Sequence, residues 1–251
     1  MGTSLNSVRT KRHARTDRTS LIVLGCEGAL GAAVLSLAPS GMDVIGVDRR
    51  LRSSRLSPRR YYRCDFGDRL QIDKLLDTVP IRKLDQLILI SCIGKFGEES
   101  FQADNVFEPD LLYDSLQVNL VGIAHFVAEI LSRSSHIPKR RIVIVGSTAA
   151  HVGSRDLGYA IAKAGLNGLV VSLSKVLARR ATTIIGINPG VFASPMSAAV
   201  SRVRRAKAVQ STHIQREGTV DEIGNLVRYA AFEAPDYLTG AILNVNGGQY
   251  A

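Results

Sequence analysis

The chain has 251 residues and 45% of them are hydrophobic, so it is long enough to bury one substantial core and is predicted to form a single domain. Its apolar runs are far shorter than the roughly 20 residues needed to cross a bilayer, and we therefore predict no membrane span. The three cysteines, Cys26, Cys64 and Cys92, have neither disulfide nor zinc-site spacing, so no metal site is predicted and a reducing cytoplasm is the simplest location.

The net charge of +10 is concentrated in three segments. Residues 1–20 hold five cations against one acid, residues 49–63 hold seven arginines, and residues 196–216 hold five cations and no acid. Such clusters attract nucleic acid, but the sequence has no nucleic-acid-binding motif, so solvated loops or an anion site are the better interpretation and no nucleic-acid partner is predicted. Residues 1–19 lack the apolar segment of a secretory signal and are predicted to form a disordered basic tail, with an organellar presequence as the alternative.

From Thr19 onward, short apolar runs alternate with stretches of helical periodicity. The predicted strands are Leu21–Leu24, Asp43–Val47, Gln86–Ile90, Arg141–Val145, Thr183–Ile187 and Ala241–Val245. The predicted helices are Ala29–Leu37, Leu111–Leu131, Tyr159–Ala178 and Val220–Phe232. This alternation predicts an α/β fold with one doubly wound parallel sheet of the Rossmann type and helices on both faces. Residues 49–63 depart from the pattern, because Arg, Ser and Pro offer little apolar face for a crossover helix.

The first predicted strand leads directly into a turn with glycine at every third position, and a helix follows. Such a turn brings backbone amides and a helix N-terminus close to a phosphate group. An ordinary strand-to-helix turn is the alternative, but the place after the first strand favours a dinucleotide site. The turn residues assigned to this site are Gly25, Glu27, Gly28, Leu30 and Gly31.

Asp48 ends the second predicted strand, where a carboxylate can accept hydrogen bonds from ribose hydroxyls and would repel a 2′-phosphate. NAD(H) is therefore favoured as the cofactor. Arg49, Arg50 and Arg52 follow directly and could pair with a 2′-phosphate, so NADP(H) is not excluded. The structural alternative for Asp48 is a loop cap.

Tyr159 and Lys163 are four residues apart on a predicted helix, so the phenol and the ammonium share one face. A nearby ammonium is expected to lower the phenol pKa and let Tyr159 exchange a proton with a substrate oxygen. Ser147 follows a strand and lies at the carboxyl edge of the sheet, where ligands of such folds bind. Asn119 is predicted to lie in the middle of a helix, where an amide is often simply exposed.

Taken together, these motifs resemble the short-chain dehydrogenase/reductase family across nearly all of residues 20–250. The resemblance is carried by the glycine-rich turn, Asp48, Asp65, Asn119, Ser147, Tyr159 with Lys163, Asn188-Pro189-Gly190, Leu238-Thr239-Gly240 and Asn246-Gly247-Gly248. The length and the terminal glycine-rich segment resemble 3-oxoacyl-acyl-carrier-protein reductases and related biosynthetic alcohol dehydrogenases. The glycine turn, in which Ala29 replaces the family's middle glycine, is closer to dihydropteridine-reductase-like members.

The resemblance implies a role for each matched residue. Tyr159 would be the acid/base, Ser147 would steady the reacting oxygen, and Lys163 would also bind the nicotinamide ribose. Asn119 would hold a water in the proton relay. The remaining residues assigned to the cofactor are Arg49; Asp65 and Phe66, flanking adenine; Cys92 and Gly94, where the family has N-N-A-G; and Pro189, Gly190, Phe192 and Ser194, at the nicotinamide carboxamide.

The function expected from this resemblance is NAD-dependent hydride transfer between a ketone and a secondary alcohol. Two alternatives stay open, a non-catalytic dinucleotide-binding sensor or scaffold and a sugar or cyclitol epimerase or dehydratase that uses the same Tyr/Lys pair. Arg202 and Arg205 would share a helix face in the substrate lid and favour an anionic or carrier-bound substrate, with a solvated face as the alternative. A homotetramer or homodimer is also implied.

Overall fold

The computed structural model of the protein describes residues 18–50, 60–81, 84–97, 108–198 and 200–250. Within these residues seven strands form one sheet, and every neighbouring pair in it is parallel. The strands are β1 (Thr19–Leu24), β2 (Asp43–Asp48), β3 (Arg60–Arg63), β4 (Gln86–Ser91), β5 (Lys139–Val145), β6 (Thr182–Pro189) and β7 (Ile242–Val245). Their order is β3-β2-β1-β4-β5-β6-β7, so the chain winds outward in both directions from β1. This is the predicted doubly wound α/β fold of the Rossmann type.

Nine α-helices lie in the described part of the chain. They are α1 (Ala29–Ser36), α2 (Arg69–Thr78), α3 (Pro109–Leu116), α4 (Gly122–Arg133), α5 (Ala149–Val152), α6 (Leu157–Leu177), α7 (Pro195–Ala198), α8 (Arg202–Gln210) and α9 (Val220–Phe232). A π-helical turn over Gln117–Val121 joins α3 to α4 without a break. The core helices α1, α4, α6 and α9 correspond to the four predicted helices.

Both faces of the sheet are buried because successive strand residues point to opposite sides. In β1, Ile22 and Leu24 pack with residues of α2, α4 and α6, whereas Leu21 and Val23 pack with residues of α1 and α9. All four side chains are fully buried. The continuous apolar run of this strand is therefore what places helices on both faces.

Several elements were not predicted from the sequence, among them β3, α2, the short helices α5 and α7, and the π-helical turn. β3 is a short, polar strand at the edge of the sheet. Its sequence has no apolar pattern that would predict a strand, and it is held in strand conformation by pairing with β2. α2 is a mostly polar helix whose start is capped by the Asp68 carboxylate, which accepts from the backbone of Leu70 and Gln71. The single predicted helix Leu111–Leu131 is continuous through α3, the π-helical turn and α4, but Gln117–Val121 within it are π-helical rather than α-helical. Residues 1–17 of the predicted tail, and Arg52, lie outside the described residues.

Two helical stretches, Pro109–Arg133 and Leu157–Leu177, are long and apolar enough by length and composition to cross a membrane. The prediction from short apolar runs did not anticipate them. Length and composition are weak evidence here, since core helices that cover a sheet pass the same test, and both stretches contribute residues to the core.

Candidate active site

The carboxyl ends of the central strands open into a cavity of about 630 Å³. Such a crevice, where the strand order reverses, is where open parallel sheets bind ligands. All but one of the residues predicted for the site line it, namely Gly25, Glu27, Gly28, Leu30, Gly31, Asp48, Arg49, Asp65, Phe66, Cys92, Gly94, Ser147, Tyr159, Lys163, Pro189, Gly190, Phe192 and Ser194. The exception is Asn119, which lies behind the wall of the cavity.

The glycine turn between β1 and α1 is too tight for side chains at two of its positions. Gly25 has a φ of +76°, and a Cβ there would lie 3.0 Å from the backbone of Cys92. A Cβ on Gly31 would lie 2.1 Å from the Gly25 carbonyl oxygen. Gly28 precedes α1 and offers no side-chain cap, so the first N–H groups of the helix face the cavity without a side-chain partner.

Two acidic residues, Glu27 and Asp48, stand next to this turn. The Asp48 carboxylate accepts hydrogen bonds from the Glu27 N–H at 3.0 Å and the Arg50 N–H at 3.1 Å. Among the described residues, the Glu27 Oε1 atom is buried and has no hydrogen-bond partner. The Arg49 guanidinium lies 4.0 Å from the Asp65 carboxylate, so a described acid already faces this cation. Among the described residues, three carboxylates and the two guanidinium groups of Arg49 and Arg50 therefore line this end of the cavity.

Phe66 lines the cavity but is largely buried. Its side chain is 5% exposed and packs against Phe126, with ring centroids 5.6 Å apart. That Phe66 flanks adenine, as the family resemblance implies, stays a prediction. The other residue expected beside adenine, Asp65, accepts a hydrogen bond with its carboxylate from the Gly67 N–H at 2.9 Å.

Lys163 is buried under the site, with 2% of its surface exposed. Its Nζ donates to the carbonyl oxygens of Ile93 at 3.0 Å and Val145 at 3.1 Å. Burial lowers the Lys163 pKa to about 8 because the charged form loses hydration. The ammonium lies 5.5 Å from the Tyr159 ring centroid, over the face of the ring.

The pKa of Tyr159 is raised, which contradicts the prediction that Lys163 would lower it. Burial of the phenol is the largest cause, and the Asp156 charge adds to it, while a hydrogen bond with the Ser147 hydroxyl acts in the opposite direction. The prediction from helical spacing considered only the ammonium and left out the desolvation of the phenolate. The phenol is therefore held in its protonated form, as a proton donor requires.

Ser147 is fixed through its backbone at the end of β5. Its N–H donates to the Asn188 Oδ1 at 3.1 Å, and its hydroxyl accepts from the Ala149 N–H at 3.1 Å. Asn188 also contacts the His151 Nε2 at 3.1 Å, and the His151 ring stacks on Tyr250 with centroids 4.0 Å apart. This network reaches from Ser147 to the C-terminal segment and was not predicted.

Asn119 is fully buried in the π-helical turn, not exposed on a helix. Its side chain accepts from the Lys95 N–H at 2.7 Å and donates to the Lys95 carbonyl at 2.8 Å and to the Ser115 hydroxyl at 3.1 Å. A single-turn π-helix often marks a functional position, because it re-aims a side chain out of the regular helix. Here it directs the amide to the loop after β4.

The chain matches, over residues 31–249, the sequence model of the family described as enoyl-(acyl carrier protein) reductase. The match spans most of the described sheet together with Ser147, Tyr159 and Lys163. The chain belongs to the short-chain dehydrogenase/reductase family. It is an oxidoreductase of that family, as the resemblance in the motifs predicts.

Similar proteins agree with this assignment. The chain is 26% identical to the 3-oxoacyl-acyl-carrier-protein reductase of Buchnera aphidicola, with 94% of the chain and 99% of the relative covered. It is 32% identical to the Haemophilus influenzae protein of that name, with 74% and 69% covered. A solved short-chain dehydrogenase family protein from Francisella tularensis has the same fold, with a TM-score of 0.76, 17% identity and 92% and 98% covered.

The basic segment 196–216 of this short-chain dehydrogenase/reductase lies beside acidic residues that its own sequence does not contain. Arg205 in α8 forms a two-pronged ion pair with Glu217, in which the Nη2–Oε2 distance is 2.6 Å. Arg216 pairs likewise with Glu222 at 2.6 Å. Both acids lie just beyond that segment. Of the two arginines predicted to share a helix face, Arg205 therefore has an acidic partner, whereas Arg202 is exposed.

Sequence reasoning also missed Asp156 and Phe96. The buried Asp156 precedes α6 and accepts hydrogen bonds from the Tyr159 N–H at 2.9 Å and the Gly97 N–H at 2.7 Å. Phe96 packs edge-on against the Tyr159 ring, with centroids 5.3 Å apart. An Asp three residues before Tyr159 is a recognisable signal for the start of a helix, but nothing in the local sequence predicts the hydrogen bond between Asp156 and the Gly97 N–H.

At the end of β6, Gly190 is held close to β7. Its N–H donates to the Val245 carbonyl at 3.0 Å, and a Cβ at this position would lie 2.8 Å from the Asn246 Cα. Ser194 caps α7, since its hydroxyl accepts from the Ser197 N–H at 3.2 Å. The P-G-x-x-x-S segment thus forms a rigid wall of the cavity.

Proposed function

We propose that this oxidoreductase transfers hydride between NAD(H) and a ketone or secondary alcohol, with Tyr159 as general acid/base. The observation that carries the proposal is that Ser147, Tyr159 and Lys163 face the same cavity as the glycine turn before α1. The bound nicotinamide would supply or accept the hydride. Non-catalytic dinucleotide binding does not account for a buried ammonium and phenol placed together.

The residues at the cofactor end are suited to a dinucleotide. The N–H groups at the start of α1 would bind the pyrophosphate, because this helix N-terminus has no side-chain cap. Glu27 and Asp48 would face the adenosine ribose, and the unpartnered Glu27 Oε1 is an acceptor for a hydroxyl. A 2′-phosphate would meet both carboxylates and would have to draw Arg49 away from Asp65, so we favour NAD(H) over NADP(H).

In the reductive direction, Tyr159 would give its phenolic proton to the carbonyl oxygen of a substrate whose carbonyl carbon the bound nicotinamide would reduce. Ser147 would donate a hydrogen bond to that oxygen and hold it near the phenol. Lys163 would contact the nicotinamide ribose, and its buried ammonium would stabilise the phenolate that remains after proton transfer. Asn119 would support the β4–α3 loop through the backbone of Lys95.

The substrate side of the cavity is lined mainly by apolar side chains. Phe96, Val152, Met196, Val200 and Ala208 contribute to it. This lining is suited to a ketone on an apolar chain. The names of the relatives suggest that such a chain is carried as a 3-oxoacyl group on an acyl carrier protein, which would place the enzyme in biosynthesis.

We further propose that residues 20–251 form one cofactor-binding domain that assembles as a homo-oligomer. Several large apolar side chains on α3, the π-helical turn and α6 are exposed, namely Leu111, Tyr113, Val121, Ile161, Val171 and Val176. A second copy of the chain would cover them. The free thiols of Cys26, Cys64 and Cys92 support a reducing, cytoplasmic location.

The test is NADH oxidation with a panel of ketones, comprising ethyl acetoacetate, acetoacetyl-CoA and acetoacetyl-acyl carrier protein. We expect Tyr159→Phe to lower turnover by roughly 10²- to 10⁴-fold and to leave the NADH dissociation constant nearly unchanged. Tyr237→Phe, at a fully exposed tyrosine, is the control. Turnover by Tyr159→Phe at the level of this control would refute the assigned acid/base.

A further inference from the structure

The loop after β4 forms the wall of the cavity next to Tyr159. Gly94, Lys95 and Phe96 line the cavity, and the Phe96 ring packs edge-on against the Tyr159 ring at 5.3 Å. Phe96 is 39% exposed, so packing alone does not fix it. What fixes this loop therefore decides the shape of the pocket beside the reacting phenol.

Alternate residues of the loop are held by side chains from the site. The Ile93 carbonyl accepts from the Lys163 Nζ at 3.0 Å. Lys95 is held through both its N–H and its carbonyl by Asn119. The first two anchors thus come from residues already assigned to the site.

The third anchor is Asp156. Its Oδ2 accepts from the Gly97 N–H at 2.7 Å, across 59 positions of sequence, and it is 3% exposed. Its Oδ1 accepts from the Tyr159 N–H at 2.9 Å, which is the geometry of a helix N-cap. One carboxylate therefore joins the backbone of Tyr159 to the loop that carries Phe96. Capping of α6 alone would need only the hydrogen bond to the Tyr159 N–H, not the one to the Gly97 N–H.

We propose that Asp156 is a positioning residue of this enzyme, whose carboxylate fixes the loop 94–97 against the first turn of α6 and so holds Phe96 against Tyr159. The inference rests on the proposed function for its catalytic consequence, but the anchoring itself does not depend on the substrate. Gln or Asn would not replace the carboxylate fully, because an amide has only one oxygen to accept from two N–H donors.

The same carboxylate acts on the proton of Tyr159. Its charge raises the phenol pKa, in addition to the larger effect of burial. Among the described residues, the Lys163 ammonium lies 5.5 Å from the ring centroid, and Lys95 lines the same cavity from the loop. Removing the Asp156 charge would therefore lower the phenol pKa while Lys163 and Lys95 stay in place.

The test uses Asp156→Ser, which keeps a capping oxygen but is too short to reach Gly97, and Asp156→Asn, which keeps one acceptor and removes the charge. Asp68→Ser and Asp68→Asn are the matched controls, because Asp68 caps α2 through the same type of bond and does not line the cavity. Hydrogen exchange is followed by mass spectrometry at the amides of residues 95–97, with the whole protein saturated with NADH.

We expect Asp156→Ser to accelerate exchange at residues 95–97 by roughly tenfold or more, the effect of losing a hydrogen bond to a charged group. Exchange equal to that of Asp68→Ser would overturn the anchoring role. This readout needs no turnover, so failure of the anchoring and failure of the proposed reductase activity are distinguishable.

The pH profile of kcat is measured with ethyl acetoacetate and NADH. Reduction requires the protonated phenol, so kcat should fall as pH rises through the phenol pKa, which gives the profile an alkaline limb. Because Asp156→Asn should lower the phenol pKa, it should move this limb to lower pH. A merely structural defect would lower the rate without moving the limb. A limb that coincides with that of Asp68→Asn would overturn the effect of the Asp156 charge on Tyr159.

Discussion

The burial of Lys163 predicts a measurable dependence of stability on pH. Lys163→Met keeps the approximate length of the side chain and removes the ammonium. The Lys163 pKa falls from 10.5 to about 8 because the ammonium is desolvated. In the folded protein the proton therefore leaves at a lower pH than in the unfolded chain, where the lysine is hydrated.

The sign follows from proton binding. Between pH 8 and 10.5 the unfolded chain retains a proton that the folded state has lost, so the stability of the wild-type protein rises with pH in this window. A difference of roughly 2.5 pH units, at about 1.36 kcal/mol each, corresponds to about 3 kcal/mol. Below pH 8 both states are protonated, and the contribution of Lys163 no longer changes.

Lys163→Met also removes the donor to the Ile93 and Val145 carbonyls, which costs free energy that does not depend on pH. The quantity to measure is therefore how the wild-type minus variant unfolding free energy changes between pH 7 and 10.5. Urea titrations at one fixed protein concentration give it, since assembly makes stability depend on concentration.

Lys175→Met is the control, because Lys175 is exposed on the same helix. The difference for Lys163→Met should rise by about 3 kcal/mol across the window, whereas exposure predicts a much smaller change for the control. A difference for Lys163→Met that stays constant over this range would refute the conclusion that burial, rather than helical spacing, determines the proton affinity of this lysine.

Three further predictions concern the cofactor, the substrate and the sheet. Glu27→Gln and Asp48→Ala should each narrow the preference for NADH over NADPH, because a 2′-phosphate then meets less negative charge. Dissociation constants from fluorescence titrations with NADH and NADPH test this prediction. Tighter binding of NADPH than of NADH by the wild-type protein would contradict it. If an acidic acyl carrier protein docks on the basic segment 196–216, kcat/KM should fall as ionic strength rises. Arg202→Gln should weaken that dependence on ionic strength. Arg205→Gln should weaken it less, since Arg205 already pairs with Glu217. Asp236→Ala should lower the unfolding free energy by about 1–3 kcal/mol, because Asp236 accepts from the buried Arg141 and from Thr183. The hydrogen bond from Thr183 and then the charge of Arg141 hold the Asp236 pKa below its usual value, so this stabilisation should be lost as pH falls through the lowered pKa. Urea unfolding of both proteins should show a smaller loss of stability at pH 3 than at pH 7, and an equal loss at both pH values would contradict the prediction.

The sequence alone determined the elements whose own residues specify them. The apolar runs of β1 and β4 are buried on both faces wherever they pair, so their positions could be read directly. α9 has the predicted bounds because Thr219 and Glu222 form a capping box at its start. The glycine turn is equally local, since a positive φ at Gly25 excludes most other residues.

Only the tertiary structure decided features that depend on residues far apart in the chain. β3 has no apolar pattern and forms a strand because β2 offers it an unpaired edge. Three contacts form only when the fold brings their partners together. They are the packing of the Phe66 ring on Phe126, the ion pair of Arg205 with Glu217, and the hydrogen bond of Asp156 with Gly97. The proton affinities of Tyr159 and Lys163 belong to this group, because desolvation depends on everything packed around a side chain. The four-residue spacing could place the phenol and the ammonium on one helix face, but burial, which no local pattern encodes, set their charges.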